Sequence, residues 1–248
     1  MHIPYSTFSR YYFDSKIEKV KTFWADTEAF LNEMYMRDLG VRFEVVNDER
    51  LIIKDAAKET FASTRNASYV KDNSTIVINS LIGENSYDVG ISLVYTSSQK
   101  EAGIRGLAHI EGVYQPNTKA DAVAVLTKEV IAHEIGHLFG GRHTFGSHKG
   151  STAYDSEKTE FGSGTSVMSY GSPRDFFSLS SIERIRKRLT QVPAKAKDKT
   201  FATQAPRIDR SKLKNHYTIP KGTFFQFYIP ATDPDSEQLL YAVNQHDV

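Results

Sequence analysis

The chain has 248 residues, and Lys+Arg 31 against Asp+Glu 30 leaves a formal net charge of +1. Such balance argues against a dedicated nucleic-acid or polybasic membrane binder, and 12% aromatic content supplies core material that a disordered chain lacks. Zero cysteines exclude disulfides, zinc ribbons, thiol nucleophiles and iron–sulfur sites, leaving His, carboxylate, Ser, Tyr and Lys chemistry.

The length fits one large domain, or one domain plus a fragment. No stretch approaches the roughly 18 consecutive apolar residues that span a bilayer. Met1-His2-Ile3-Pro4-Tyr5-Ser6 lacks the charged-then-apolar layout of a signal peptide, so the chain reads as cytosolic or as a mature or trimmed fragment.

Ser15 to Leu39 reads as a long amphipathic helix. Ile17, Val20, Trp24, Leu31, Met34 and Tyr35 recur at helical spacing, and Gly40 is its C-cap. Val41 to Val45 alternates with period two, as a half-buried strand does, and Leu51-Ile52-Ile53 is a second short strand. Asn73 to Ile82 is predicted helical, with Asn73 or Ser74 as cap and Gly83 as stop. Tyr87 to Tyr95 is predicted as a strand. The glycine-rich segment from Gly103 to Tyr114 suits an irregular edge strand. Ala122 to Leu138 is predicted as a second long helix. Ser180 to Leu189 is a third, opened by a capping box of Ser180 and Glu183.

This mixture is an α/β or α+β domain covering residues 1–191. The stretch 192–216, with Pro193, Pro206 and little apolar periodicity, reads as a linker. Residues 217–248 hold two short strand candidates, Phe224 to Ile229 and Leu239 to Val243. Two strands cannot hold a core alone, so this segment reads as the start of a truncated β module.

Residues 130–143 read VIAHEIGHLFGGRH. They contain H-E-x-x-H-x-x-G-x-x-H at His133, Glu134, His137, Gly140 and His143. On a helix, His133 and His137 lie about 6 Å apart along the axis and on one face, so both imidazoles reach one metal. Glu134 is rotated about 100° away, beside the metal and placed to hold a water. Gly140 takes positive φ and ends the helix, and the chain turns back to deliver His143. Three neutral imidazoles and one open position is the layout of a catalytic zinc. Histidines satisfied on a surface or in a core have no reason to place three of the chain's eight in one such window.

With Ser166-Val167-Met168-Ser169-Tyr170 downstream, these residues resemble the metzincin metallopeptidases, which carry a Met-turn beneath the zinc. The chain is most similar to bacterial secreted reprolysin-like peptidases. That likeness takes in Arg37 to Arg42, Tyr87 to Gly90, Gly106-Leu107-Ala108, and the stretch from Tyr217 through Asp235. The resemblance implies a twisted mixed sheet with an active-site helix, an upper subdomain to about Gly140 and a lower one to about 191. A partial all-β, sandwich-like segment of cadherin or immunoglobulin type would follow. It implies one catalytic zinc on His133, His137 and His143, with Met168 as the apolar floor beneath them. Gly106, Leu107 and Ala108 would be the strand that pairs with substrate backbone. Tyr170 would be an extra zinc ligand, a hydrogen-bond donor to the transition state, or simple packing. Thr144 departs from the acidic residue that several metzincin subfamilies place after the third His.

The expected activity is zinc-dependent endopeptidase on protein or peptide substrates, secreted to the extracellular space, with Glu134 as general base. Two other readings stay open. One is a catalytically silent metzincin fold acting as a secreted binding or adhesion module, against which intact Glu134 argues. The other is a zinc hydrolase of non-peptide amides, against which the Met-turn and third His argue. Asp233 and Asp235 resemble calcium ligands of cadherin-like modules, but a turn is the better reading, so calcium has no support. His109 and His148 are expected at the surface. No nucleic-acid partner and no membrane span are expected.

Overall fold

The computed structural model describes residues 1–10, 12–61, 66–95, 105–147, 156–191, 206–214, 216–235, 239 and 241. Gly103, His148, the linker stretch 192–205 and most of the expected strand from Leu239 to Val243 lie outside the described residues. The chain forms two compact units, one holding Met1–Ala196 and the other Lys197–Gln245. Among the described residues, no helix is long and apolar enough to cross a membrane.

In the first unit a short helix α1 (Tyr5–Phe8) precedes the long α2 (Ile17–Leu39). The predicted apolar stripe of α2 is buried apart from half-buried Ile17, with Trp24 and Tyr35 deep in the core. Gly40 ends it at φ 70°, and its N–H and that of Val41 return to the Met36 and Tyr35 carbonyls. The next helix, α3 (Ala67–Ile82), starts earlier than its periodicity suggests. Its cap is Asn66, whose Oδ1 accepts from the Tyr69 N–H at 2.8 Å.

A three-stranded sheet runs in the order β1 (Ser92–Leu93), β3 (Ala122–Ala124), β2 (Gly106–Ala108). Strand β1 pairs parallel to β3, and β2 pairs antiparallel to it with Leu107 opposite Val123. The segment at His2 and Ile3 extends this sheet through parallel bridges to Ser92 and Ile52. Helix α4 (Lys128–Leu138) follows β3 directly. Strands β4 (His143–Phe145) and β5 (Ser156–Glu160) then pair parallel, and α5 (Leu179–Gln191) closes the unit.

The structure corrects several further local readings, among them Leu51-Ile52-Ile53, where Leu51 ends a 3-10 helix and only Ile52 makes an isolated bridge. Ala122 to Leu138 is not one helix: Ala122–Ala124 is the central, fully buried strand, and the helix starts at Lys128. A short apolar run buried on both faces carries no period that separates strand from helix. Val41 to Val45 alternates in burial as expected but forms no strand. Side chains of α2 take its backbone instead: Asn32 bonds both the Phe43 N–H and its carbonyl, and Glu28 accepts from the Val45 N–H. Only Ser92–Leu93 of the Tyr87 to Tyr95 run is strand. Helix α5 is preceded by Ser178, whose Oγ accepts from the Ser181 N–H at 3.4 Å, so the cap lies two residues before Ser180.

Helix α4 is held from behind. The buried Tyr35 hydroxyl donates to the Ala132 carbonyl at 2.7 Å. Its ring stands edge-on to Phe43 and Phe177, each with centroids at 4.8 Å. A buried phenol needs such a partner, and this one fixes α2 against the residue before His133.

In the second unit, β6 (Arg207–Ile208) pairs antiparallel with β7 (Ala231–Thr232). The first of these falls inside the stretch expected as linker. The Asp233 carboxylate accepts from the Asp235 N–H at 2.9 Å, a local turn as expected.

Candidate metal centre

Helix α4 is buried along Val130 to Leu138, which includes His133, Glu134 and His137. The imidazoles therefore project from a rigid element. Gly140, at φ 97°, ends the helix, and the Gly141 N–H returns to the Gly136 carbonyl at 2.8 Å. The chain reverses and β4 brings in His143. The Nε2 atoms of His133, His137 and His143 then lie 3.1 Å from one another in each pair.

The other ring nitrogens decide what this triangle is. His133 Nδ1 donates to the Val167 carbonyl at 2.7 Å, and His137 Nδ1 donates to the Gly141 carbonyl at 2.8 Å. With Nδ1 protonated in the neutral ring, each Nε2 carries a lone pair. Burial holds the pKa of His133 well below its ordinary value, with His137 and His143 adding to the effect. Burial lowers His143 to about 4. Neutral imidazoles with lone pairs converging at 3.1 Å repel one another unless a cation lies among them. Zinc–nitrogen bonds of about 2.0–2.1 Å in a tetrahedron give nitrogen separations of about 3.3 Å, close to what is found. The donor set fits a zinc ion.

Glu134 lies beside the triangle, 5% exposed. Burial raises its pKa to about 8. Strand β2 passes over it: a Cβ on Gly106 would run into Glu134 Oε1 and stand 2.6 Å from its Cγ. No hydrogen-bond donor among the described residues reaches the carboxylate. Leu107 and Ala108 continue β2, half-buried, at the edge of the three-stranded sheet.

Met168 is fully buried below the histidines. A Cβ on Gly136 would run into its Sδ, and one on Gly141 would stand 3.2 Å from it. The Tyr170 hydroxyl lies 3.1 Å from His143 Nε2, and its ring stacks on Phe145 with centroids at 4.7 Å. His109 is exposed, as expected. Every site residue expected from the motif and the Met-turn thus meets at one place.

A family model described as metallopeptidase family M12B, reprolysin-like, matches residues 17–191. The chain belongs to the reprolysin-like metallopeptidases. A comparison with curated proteins finds no match. The matched span runs from the start of α2 to the end of α5 and holds every residue of this site. Reprolysin-like metallopeptidases depend on zinc and act on proteins, and this chain carries a cluster of three histidines able to hold a metal ion.

Three features of this reprolysin-like site escape sequence reasoning. Gly136 and Gly141 seat Met168, but in sequence they read only as helix and loop glycines. Arg174, half-buried, lies close enough to lower the pKa of His133. Burial, then the nearby Arg105, lowers the pKa of Arg174 itself. Glu160 gathers five donors. Thr144 Oγ1, Ser166 Oγ and Ser169 Oγ bond its Oε2, and the Thr165 and Ser166 N–H groups bond its Oε1 at 2.8 and 3.0 Å. Burial opposes ionisation of Glu160, but these bonds outweigh it and hold the pKa below the ordinary value. No local pattern marks any of the three, because each acts through partners distant in sequence.

Proposed function

We propose that the chain is a zinc-dependent endopeptidase, with His133, His137 and His143 as the zinc ligands and Glu134 as general base. The observation that carries this reading is the convergence of three Nε2 atoms at 3.1 Å beside a buried carboxylate. When bound, zinc supplies Lewis acidity to a peptide carbonyl and acidifies water.

The chain's own residues do the rest. Strand β2 takes an extended peptide by strand addition, which orders the substrate backbone without selecting its side chains. Gly106 keeps the space over Glu134 open. Glu134 accepts the proton of the attacking water as its oxygen bonds the scissile carbon. It then delivers that proton to the leaving nitrogen as the C–N bond breaks. The Tyr170 hydroxyl donates to the carbonyl oxygen as that oxygen becomes negative. Met168, seated on Gly136 and Gly141, stiffens the floor under the imidazoles. Residues 217–248 open an appended β-sandwich-like module, and the site of action is extracellular; family membership over residues 17–191 supports only the second.

The test is to quantify zinc per mole of chain and to assay cleavage of denatured casein with and without a chelator. About one zinc and chelator-sensitive cleavage are expected. No zinc after reloading would overturn the ligand assignment. Full zinc occupancy with no cleavage of casein or of a broad peptide library would favour the silent binding fold.

A further inference from the structure

We propose that Glu160 is a positioning residue that sets His143 against His133 and thereby tunes the affinity of the site for its metal. This inference rests on the zinc reading above.

The hydrogen bonds of Glu160 described above reach none of the three histidines directly. Its bonds go to their neighbours. Thr144 directly follows His143 on β4. Ser166 directly precedes Val167, whose carbonyl accepts from His133 Nδ1. Ser169 lies between Met168 and Tyr170. One carboxylate therefore ties the strand carrying the third ligand to the turn orienting the first.

The backbone is shaped around it. Glu160 ends β5, opposite Phe145 in the β4–β5 pairing. Gly164, at φ 63°, curls the following turn back: a Cβ there would run into Ser169 Oγ and stand 3.1 Å from Glu160 Cδ. Thr144 and Ser169 are buried, and their hydroxyls lie 2.9 Å apart. A carboxylate has about four lone-pair positions, and here five donors, three hydroxyls and two amides, saturate them. Charge-assisted bonds of this kind are stronger than neutral ones and hold tighter geometry.

The substitution Glu160→Gln keeps the size but removes the charge. An amide nitrogen then faces three hydroxyl groups that had all been donors. The expected result is a zinc dissociation constant weakened about 10- to 100-fold by chelator competition, the range for partners that orient metal ligands. Visible bands of the cobalt-loaded protein should shift, and kcat should fall with KM nearly unchanged. A merely structural role would lower the melting temperature but leave zinc affinity and cobalt bands at parent values, and that outcome overturns the proposal. Should Glu160→Gln fail to fold, Thr144→Val takes its place, with a weakening of about 10-fold expected and parent affinity overturning the proposal. A parent chain that binds no zinc would sink the functional reading itself. A zinc-binding parent with a variant of equal affinity would sink only this inference.

Discussion

The Met168 thioether fills the space that a Cβ at Gly136 would need. Gly136 lies inside α4 between two candidate ligands, where alanine would ordinarily favour the helix by about 1 kcal/mol. Here the neighbour decides the sign. Met168 is fully buried, with Gly141 against the same sulfur and Phe177 close by, so it has no open space to move into. Overpacking of this kind costs about 1–3 kcal/mol. Gly136→Ala should therefore destabilise the fold by up to about 2 kcal/mol net. It should also lower activity, because the floor under the imidazoles shifts. Thermal denaturation and casein cleavage read both effects, and a more stable variant would contradict this packing.

Glu134→Ala tests the base directly. Its carboxylate faces the site and holds up none of the described structure through a hydrogen bond. Zinc content should stay at the parent value while kcat/KM falls at least about 10²- to 10⁴-fold, the range for general acid–base catalysis. Cleavage at the parent rate would remove Glu134 from the mechanism.

Tyr170→Phe separates hydroxyl from ring. The ring stacks on Phe145 and should stay in place, whereas the Oη 3.1 Å from His143 Nε2 is lost. If the hydroxyl stabilises the developing oxyanion, kcat drops on the order of 10²-fold, with stability and zinc content nearly unchanged. An unchanged kcat would reduce Tyr170 to a packing residue.

His2 contributes to the pH dependence, in the same direction as His133 and His143 in the metal-free protein. It is fully buried, its ring nitrogens paired to Ser92 Oγ at 3.0 Å and Thr60 Oγ1 at 3.1 Å. Burial lowers its pKa from 6.5 to about 3. Between these values the unfolded chain binds a proton that the folded chain does not. The His2 contribution to stability is thus fully present above pH 6.5 and is lost as pH falls toward 3. His2→Gln should flatten this part of the melting-temperature profile of the metal-free protein. An equally steep acid limb in the variant would assign the acid sensitivity elsewhere.

The local chemistry of the site is legible in the sequence. Helical spacing alone puts His133 and His137 on one face, and Gly140 alone permits the sharp turn that returns His143. The stripe of α2 and its Gly40 cap are local in the same sense, since each depends on neighbours within one or two turns. What the tertiary structure decides is where a distant group takes over. Val41 to Val45 has the pattern of a strand, yet Asn32 and Glu28 occupy its backbone groups, and a backbone group accepts whichever partner arrives. Ala122 to Ala124 is strand because β1 and β2 flank it, which no run of three small apolar residues announces. Glu160 and Gly136 owe their roles to partners beyond the reach of one helical turn or strand pair: Thr144, the serines of the turn, and Met168. Only packing brings them together, so hydrogen-bond demand and excluded volume, rather than propensity, assign what these residues do.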